Sequence, residues 1–226
     1  MKLVPDLMHG LGMRPHYEPG ELDRAFEKIA SSHLRRRHGA VEYPLTTDDL
    51  TVLIEDHVDE LDIYADLTSL GAGVEGVTAF KPGAKPKVLI SSHLGESEAR
   101  ENRLRTTLAH EFGHVHLHAY IIDLAIEEGR LDRLRGSKIT CKRETMLSAP
   151  QKDWREWQAG YACGAILMPA GRMTQLASDW RSGWSGPASL AMDALVGEVA
   201  QRFLVSREAA AVRLRVLKLT PEALAQ

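Results

Sequence analysis

Two histidines separated by three residues, His110 and His114, limit the possible folds of this chain more than any other feature of its sequence. On an α-helix each residue turns by about 100°, so these imidazoles lie about 40° apart on one face, one turn above the other. Glu111 lies about 100° round from His110, beside any ion that the two nitrogens share. The sequence therefore predicts a helix that carries two metal ligands and an adjacent base.

Apolar residues on the opposite side of this helix predict how it packs. They would bury that side in the core and turn the histidines toward a cleft. Among ten histidines, a His-Glu-x-x-His string alone arises by chance in roughly a few per cent of such sequences, but its helical context favours a metal site. The apolar stripe consists of Leu104, Leu108, Phe112, Val115 and Ala119.

Two further histidines follow the motif on the same helix. His116 points well away from the pair and is expected to be solvated. His118 lies about 40° from His114 and one turn on, near enough to touch a substrate. A surface position is the simpler interpretation of both side chains.

A third metal ligand must come from another segment, because a catalytic zinc ion usually takes three protein ligands and leaves one position for water. Glu156 is the best candidate, since it opens a helix whose small residues at 159–164 would let another helix approach closely. The alternative is that Asp153 and Glu156 form a capping box at the start of that helix. Glu144 is the fallback ligand.

Composition restricts the classes of function. A chain of 226 residues with 44% hydrophobic side chains can form one core, or one core with a small appended domain. A net charge of -3 gives no global attraction to nucleic acid or acidic membranes. The first ten residues match neither a signal peptide nor a membrane span, and the two cysteines, Cys141 and Cys163, are too few for a disulfide framework. We therefore expect a cytoplasmic protein with reduced cysteines.

Hydrophobic periodicity predicts an α+β fold that is mostly helical. Turn residues separate three short segments with strand character, which we expect to form a small, mainly antiparallel sheet of about three strands. A polar stretch at 127–152 is expected to wrap the surface. Helices are predicted over 21–37, 50–54, 97–122, 153–168, 188–203 and 206–217, and strands over 61–67, 74–80 and 87–91.

Two stretches of the chain resemble the ImmA/IrrE family of metallopeptidases. They are Asn102-Arg-Leu-Arg-Thr-Thr-Leu-Ala-His-Glu-Phe-Gly-His114, and Glu156-Trp-Gln-Ala leading into Ile166-Leu-Met-Pro169. Similar stretches at 74–80, 86–90 and 200–210 extend the resemblance to roughly residues 50 to 217. In that family two helix histidines and the glutamate that opens the second helix bind zinc. The resemblance therefore implies that His110, His114 and Glu156 are zinc ligands and that Glu111 is the general base.

The resemblance also implies a domain organisation and a partner. Residues 1–180 would form a zincin-like metallopeptidase domain, and residues 186–226 a C-terminal helical segment similar to a helix-turn-helix. Family members are often linked to the removal of helix-turn-helix repressors, in stress responses and in toxin-antitoxin loci. A transcriptional repressor or an antitoxin is thus the expected protein substrate.

One position departs from related zinc peptidases. Many carry Asp or Asn four residues after the ligand glutamate, where it hydrogen-bonds a zinc-bound imidazole. Here that position is Gly160, so a backbone carbonyl or another carboxylate is expected to orient His110.

The expected reaction is hydrolysis of a peptide bond, in which Glu111 takes a proton from water and later delivers one to the leaving amine. His118, Tyr120 and Tyr161 are candidates to stabilise the oxyanion, although packing or a surface position would also explain them.

A second interpretation concerns the C-terminal segment 203–218. Capped at Ser206, it could be half of a helix-turn-helix that reads DNA, with a structural or sensory zinc elsewhere. The simpler alternative is that its cations coat the outer face of a terminal helix. Those cations are Arg207, Arg213, Arg215 and Lys218.

Overall fold

The computed structural model describes residues 1–81, 83–129, 138–142 and 153–220. The helices in these ranges are α1 (Pro19–His38), α2 (Thr47–Glu55), α3 (Ser92–Gly95), α4 (Glu101–Glu127), α5 (Trp154–Leu167), α6 (Ala170–Gly183), α7 (Ala188–Phe203) and α8 (Arg207–Val216). The strands are β1 (Lys2–Pro5), β2 (Met13–His16), β3 (Glu60–Ala65), β4 (Val74–Ala79), β5 (Lys87–Ser91) and β6 (Lys138–Lys142). The fold is α+β and mostly helical, as predicted.

The described residues divide into two compact units. Unit 1 lies within the ranges Met1–Leu22 and Thr46–Cys163, and unit 2 within Asp23–Leu45 and Gly164–Gln226. The division predicted from sequence, with a boundary at 180–186, stays a prediction. No helix in the described ranges is both long enough and apolar enough to cross a bilayer.

The main sheet of unit 1 has the strand order β3-β5-β4-β6. β3 pairs with β5 in parallel, whereas β4 is antiparallel to both β5 and β6, so the sheet is mainly antiparallel, as expected. It has one strand more than the three anticipated. That strand, β6, falls within 127–152, where no strand was predicted; the surface position expected for this stretch stays a prediction. β6 lies at the edge of the sheet and pairs with β4, a strand far away in the sequence, which local periodicity cannot show.

An N-terminal hairpin, β1 paired antiparallel with β2, was not predicted. Each strand has only four residues and contains a proline, which conceals the usual strand pattern. Asp6 holds the loop of this hairpin together and joins it to the first residue of α5. Its carboxylate accepts hydrogen bonds from the backbone N–H groups of Met8, His9 and Leu11 and from the indole of Trp154.

α4 is the central helix of unit 1 and packs against β4. The predicted apolar stripe is confirmed, since four of its members are buried and Ala119 is partly buried. The motif face is buried as well, with His110, Glu111 and His114 all 0% exposed. The expectation that the histidines face an open cleft is therefore not met. Burial of both faces around the motif is typical of a helix segment in the interior of a domain.

Within the ranges that the structure describes, α6 is the one long helix that the periodicity did not predict. Pro169 follows the predicted helix 153–168, where a proline indicates a helix end, but it occupies the N-cap position of α6 with φ -60°, and proline is tolerated at helix starts. Only Met173 and Ala177 of this helix are buried, so its sequence gives little apolar periodicity.

Candidate metal centre

Three side chains converge inside unit 1, two from α4 and one from the first turn of α5. The Nε2 atoms of His110 and His114 lie 3.1 Å apart. Glu156 presents one carboxylate oxygen to each of them, Oε2 at 3.3 Å from His110 Nε2 and Oε1 at 3.3 Å from His114 Nε2. All three side chains are buried, and they form a cluster with metal-ligand geometry. The structure thus brings together the three residues that the sequence singled out as ligands.

The spacing of these atoms fits a tetrahedral ion. Ligand bonds of about 2.0–2.1 Å at tetrahedral angles put neighbouring ligand atoms about 3.3–3.4 Å apart. The 3.1 Å between the two nitrogens is close to that edge length, and each nitrogen has its own oxygen of Glu156 at 3.3 Å. Oε2 of Glu156 is buried, and its 3.3 Å contact with Nε2 of His110 lacks good hydrogen-bond geometry, which leaves room for a cation between the three side chains. Two imidazoles and a carboxylate are a donor set that zinc commonly uses.

The electrostatics of the cluster favour the ligand forms of its members. Burial lowers the pKa of His114, which favours the neutral imidazole that can bind a metal. Burial alone would raise the pKa of Glu156, but hydrogen bonding and the charges of His110 and His114 outweigh that effect and hold it well below its ordinary value. Glu156 therefore stays ionised.

Small residues allow α4 and α5 to approach closely. A Cβ added at Gly113 would lie 2.9 Å from the Cα of Ala159 and 3.2 Å from the Cβ of Ala162, so a larger residue would push the helices apart. Cys163 donates to the carbonyl of Thr106 at 3.4 Å in the same contact. The sequence argument that small residues on the second helix permit a shared site is consistent with this packing.

Glu111 lies fully buried against β4. The hydroxyl of Thr78 donates to its Oε2 at 2.5 Å. A Cβ added at Gly76 would lie 2.8 Å from its Cδ, so only glycine leaves room for this carboxylate. Sequence reasoning missed both strand residues. A glycine inside a strand, which often marks close approach of another group, was the available signal.

Comparison with known proteins agrees with this geometry. Residues 88–215 match the family model of peptidase M78, described as the IrrE N-terminal-like domain. The chain belongs to this metallopeptidase family. No curated protein matches the sequence significantly. The match covers α4, the start of α5 and the helices that follow, and therefore the whole of the cluster.

His118 is a further buried histidine in this M78 chain, and the expected surface position is wrong for it. Its Nδ1 lies 3.0 Å from Nδ1 of His114, and its Nε2 lies 3.1 Å from Oε1 of Gln158. Trp154 packs edge-on against its ring at 5.4 Å between centroids. Burial lowers the pKa of His118 well below its ordinary value. Gln158 escaped the sequence analysis because its partner His118 lies 40 residues away.

The outer nitrogen of the other motif histidine has different surroundings. Nδ1 of His110 is buried, and no hydrogen-bond partner for it occurs among the described residues. The expectation that a carbonyl or carboxylate orients this ring is thus not met within the part of the chain that the structure describes. The fallback ligand, Glu144, lies outside the described residues.

The remaining candidates of the sequence analysis lie in different settings. His116 is exposed, as expected, and its ring stacks on Phe112. Tyr120 is 41% exposed and hydrogen-bonds Tyr17, whereas Tyr161 packs against Trp157. A role for Tyr120, Tyr161 or His118 in stabilising an oxyanion stays a prediction.

Unit 2 contains the C-terminal cations. Arg213 is 3% exposed, with its Nε donating to the carbonyl of Met168 at 3.0 Å and its Nη2 to Asp23 at 2.6 Å. Both interpretations of this segment, contact with DNA and a cation on the outer face of the helix, require an exposed side chain. Arg213 is buried and therefore fits neither. Arg215 and Lys218 are exposed.

Proposed function

We propose that the protein is a zinc-dependent metallo-endopeptidase with Glu111 as its general base. The observation that supports this most strongly is the convergence of three side chains beside Glu111: the Nε2 atoms of His110 and His114 lie 3.1 Å apart on α4, and Glu156 on α5 places one oxygen 3.3 Å from each of them. Membership of a metallopeptidase family makes a polypeptide the substrate class. We further propose that the substrate is a helix-turn-helix repressor or an antitoxin in the cytoplasm, which rests on the resemblance to ImmA/IrrE proteins.

In this proposal each residue of the site has one task. His110 and His114 would hold zinc through Nε2, and Glu156 through its carboxylate. Zinc supplies Lewis acidity, which polarises a scissile carbonyl and acidifies water. Because Thr78 donates to Oε2 of Glu111, we assign the proton transfer to Oε1. That oxygen would accept a proton from water and deliver it to the nitrogen of the leaving amine.

The deciding experiment compares wild type with Glu111→Gln. The change keeps the shape of the side chain but removes the proton acceptor, so cleavage of an unfolded fluorogenic protein should fall by about 10²–10⁴-fold. Metal analysis should find about one zinc per chain in both proteins. Equal cleavage by the two, or no metal in the wild type, would reject the proposal. Cleavage of purified helix-turn-helix repressors tests the narrower substrate assignment.

The alternative is a regulator that binds DNA or another transcription factor and carries a structural or sensory zinc. The exposed Arg215 and Lys218, and the turn between α7 and α8, favour it. The buried ion pair of Arg213 weakens it, since that cation is not available to a phosphate. Salt-dependent DNA binding without proteolysis would support the regulator.

A further inference from the structure

The outer nitrogen of His114 begins a chain of hydrogen bonds that ends on the N-terminal hairpin. His114 Nδ1 meets His118 Nδ1 at 3.0 Å, and His118 Nε2 meets Gln158 Oε1 at 3.1 Å. The amide nitrogen of Gln158 then donates to the carbonyl of Pro15 in β2 at 2.8 Å. His114, His118 and Gln158 are at most 1% exposed, so water does not compete for these contacts.

The direction of every proton in this chain follows from its last member. A backbone carbonyl can only accept, so Gln158 must turn its NH₂ toward Pro15 and its oxygen toward His118. That oxygen also can only accept, so Nε2 of His118 must carry a proton. His118 is fully buried and both of its hydrogen-bond partners are neutral groups, which favours the neutral ring with a lone pair on Nδ1. His114 must therefore donate from its own Nδ1, which leaves the lone pair on Nε2.

We propose that His118 and Gln158 are positioning residues that fix His114 in the Nδ1–H tautomer and thereby aim its Nε2 lone pair at the space shared with His110 and Glu156. This inference rests on the proposed metal site. It goes beyond that site because it assigns a task to one buried histidine, one buried amide and the β1–β2 hairpin.

The chain of hydrogen bonds orients His114, whereas the side chain that Gly160 lacks would orient the other ligand histidine, His110. In related peptidases a carboxylate or amide at that position orients a ligand histidine. Here the orienting group for His114 comes from α4 itself, one turn further on, and is in turn held by α5 and β2. Trp154 packs against the ring of His118, and its indole N–H donates a hydrogen bond to Asp6 in the hairpin loop at 3.1 Å. The rings are thus held by packing as well as by hydrogen bonds.

The first test measures zinc affinity by competition with a chromophoric chelator. His118→Phe and Gln158→Leu keep the approximate volumes but break the chain, and each should weaken zinc binding by about 10–100-fold. His116→Phe, an exposed change two residues from His114, should leave the affinity unchanged. Because the chain acts as a unit, the double variant should lose no more than His118→Phe alone. Unchanged affinity in both single variants, or losses that multiply in the double variant, would overturn the proposal.

The second test reads the tautomer directly, without metal or activity. Nitrogen NMR of the metal-free protein should show His114 protonated on Nδ1 and His118 on Nε2, and both assignments should become mixed in Gln158→Leu. Finding His114 protonated on Nε2 in the wild type would overturn the proposal even if zinc binds. If the wild type binds no zinc, the proposed function fails, and the NMR result still decides whether the chain orients His114.

Discussion

Two regions of the molecule bury charged groups, and they do so in different ways. In unit 2, the guanidinium of Arg213 meets the carboxylate of Asp23, so each charge has an opposite one beside it. In unit 1, His110, His114 and Glu156 turn lone-pair atoms toward one another across 3.1–3.3 Å. The first arrangement is complete by itself, whereas the second needs a cation or shared protons to be stable.

This contrast distinguishes a buried ion pair that stabilises the fold from a buried cluster that binds a ligand. A buried ion pair whose members satisfy each other has a structural role, and its removal mainly lowers the free energy of unfolding. A buried group of acceptors with an unsatisfied oxygen costs stability in the metal-free protein and is explained by what it binds. The two regions should therefore respond differently to substitutions of similar size.

The largest expected effect is on folding, in unit 2. Arg213→Met leaves the Asp23 carboxylate largely buried without its cation and should lower the free energy of unfolding by about 3–5 kcal/mol. Urea denaturation measures this, with exposed Arg215→Met on the same helix as the matched control. Adding Asp23→Leu should restore much of the loss, because the largely buried carboxylate is then gone. A loss below about 1 kcal/mol in Arg213→Met, typical of a surface pair, would remove the contrast.

Next in size is the effect of Glu156→Gln on metal binding. Zinc sites with four ligands bind with about 10–16 kcal/mol, or about 2.5–4 kcal/mol per ligand, so the affinity should fall by about 10²–10³-fold. Stability of the metal-free protein should change by less than about 1 kcal/mol, since the amide has the same shape. Asp153→Asn, at the start of the same helix, is the control and should leave the affinity unchanged. If Glu156→Gln mainly destabilises the fold, Glu156 is a capping residue and not a ligand.

The sequence carried enough information to find the members of the site but not their surroundings. His110, Glu111 and His114 follow from helical spacing, which is a local property of the chain. Glu156 followed from a count of zinc ligands together with a resemblance, and the structure brings its carboxylate beside both histidines. These four residues could be named because each lies in a recognisable local pattern.

The missed residues lack such a pattern. Thr78 lies 33 residues before Glu111, and Pro15 lies 143 residues before Gln158, so both contacts arise only when strands and helices pack. His118 was placed at the surface because the helical wheel could not show that α5 covers that side of α4. Burial and long-range pairing are properties of the tertiary structure, which is why they escaped periodicity.

A smaller effect is expected where β4 contacts the base. Thr78→Val removes the hydroxyl that donates to Glu111, and a hydrogen bond to a charged group contributes about 1.5–3 kcal/mol. We therefore expect cleavage to fall by at least about 10-fold while zinc affinity stays unchanged. Thr78→Ser keeps the hydroxyl and should retain most of the activity. Equal activity in Thr78→Val and wild type would mean that β4 does not position the base.

The smallest expected effect concerns Asp6, a carboxylate in unit 1 whose hydrogen bonds are all made within the fold. We expect it to stabilise the fold, as the ion pair of Arg213 does, and not to bind a ligand. Burial alone would raise the pKa of Asp6, but backbone hydrogen bonds and the Trp154 indole lower it below the ordinary value. A carboxyl whose folded pKa is lowered stabilises the fold above its unfolded pKa of about 3.9, and this contribution is lost as the pH falls through the folded value.

Asp6→Asn should therefore lower the free energy of unfolding by about 1 kcal/mol at pH 6, and this difference from wild type should shrink below about pH 3.9. Urea titrations at several pH values measure it, and the NMR signal of the Trp154 indole N–H should shift over the same range. Asp179→Asn, an exposed carboxylate in unit 2, is the control. A difference that grows as the pH falls would contradict a lowered pKa, and Asp6 would then no longer belong with the self-satisfied groups represented by Arg213.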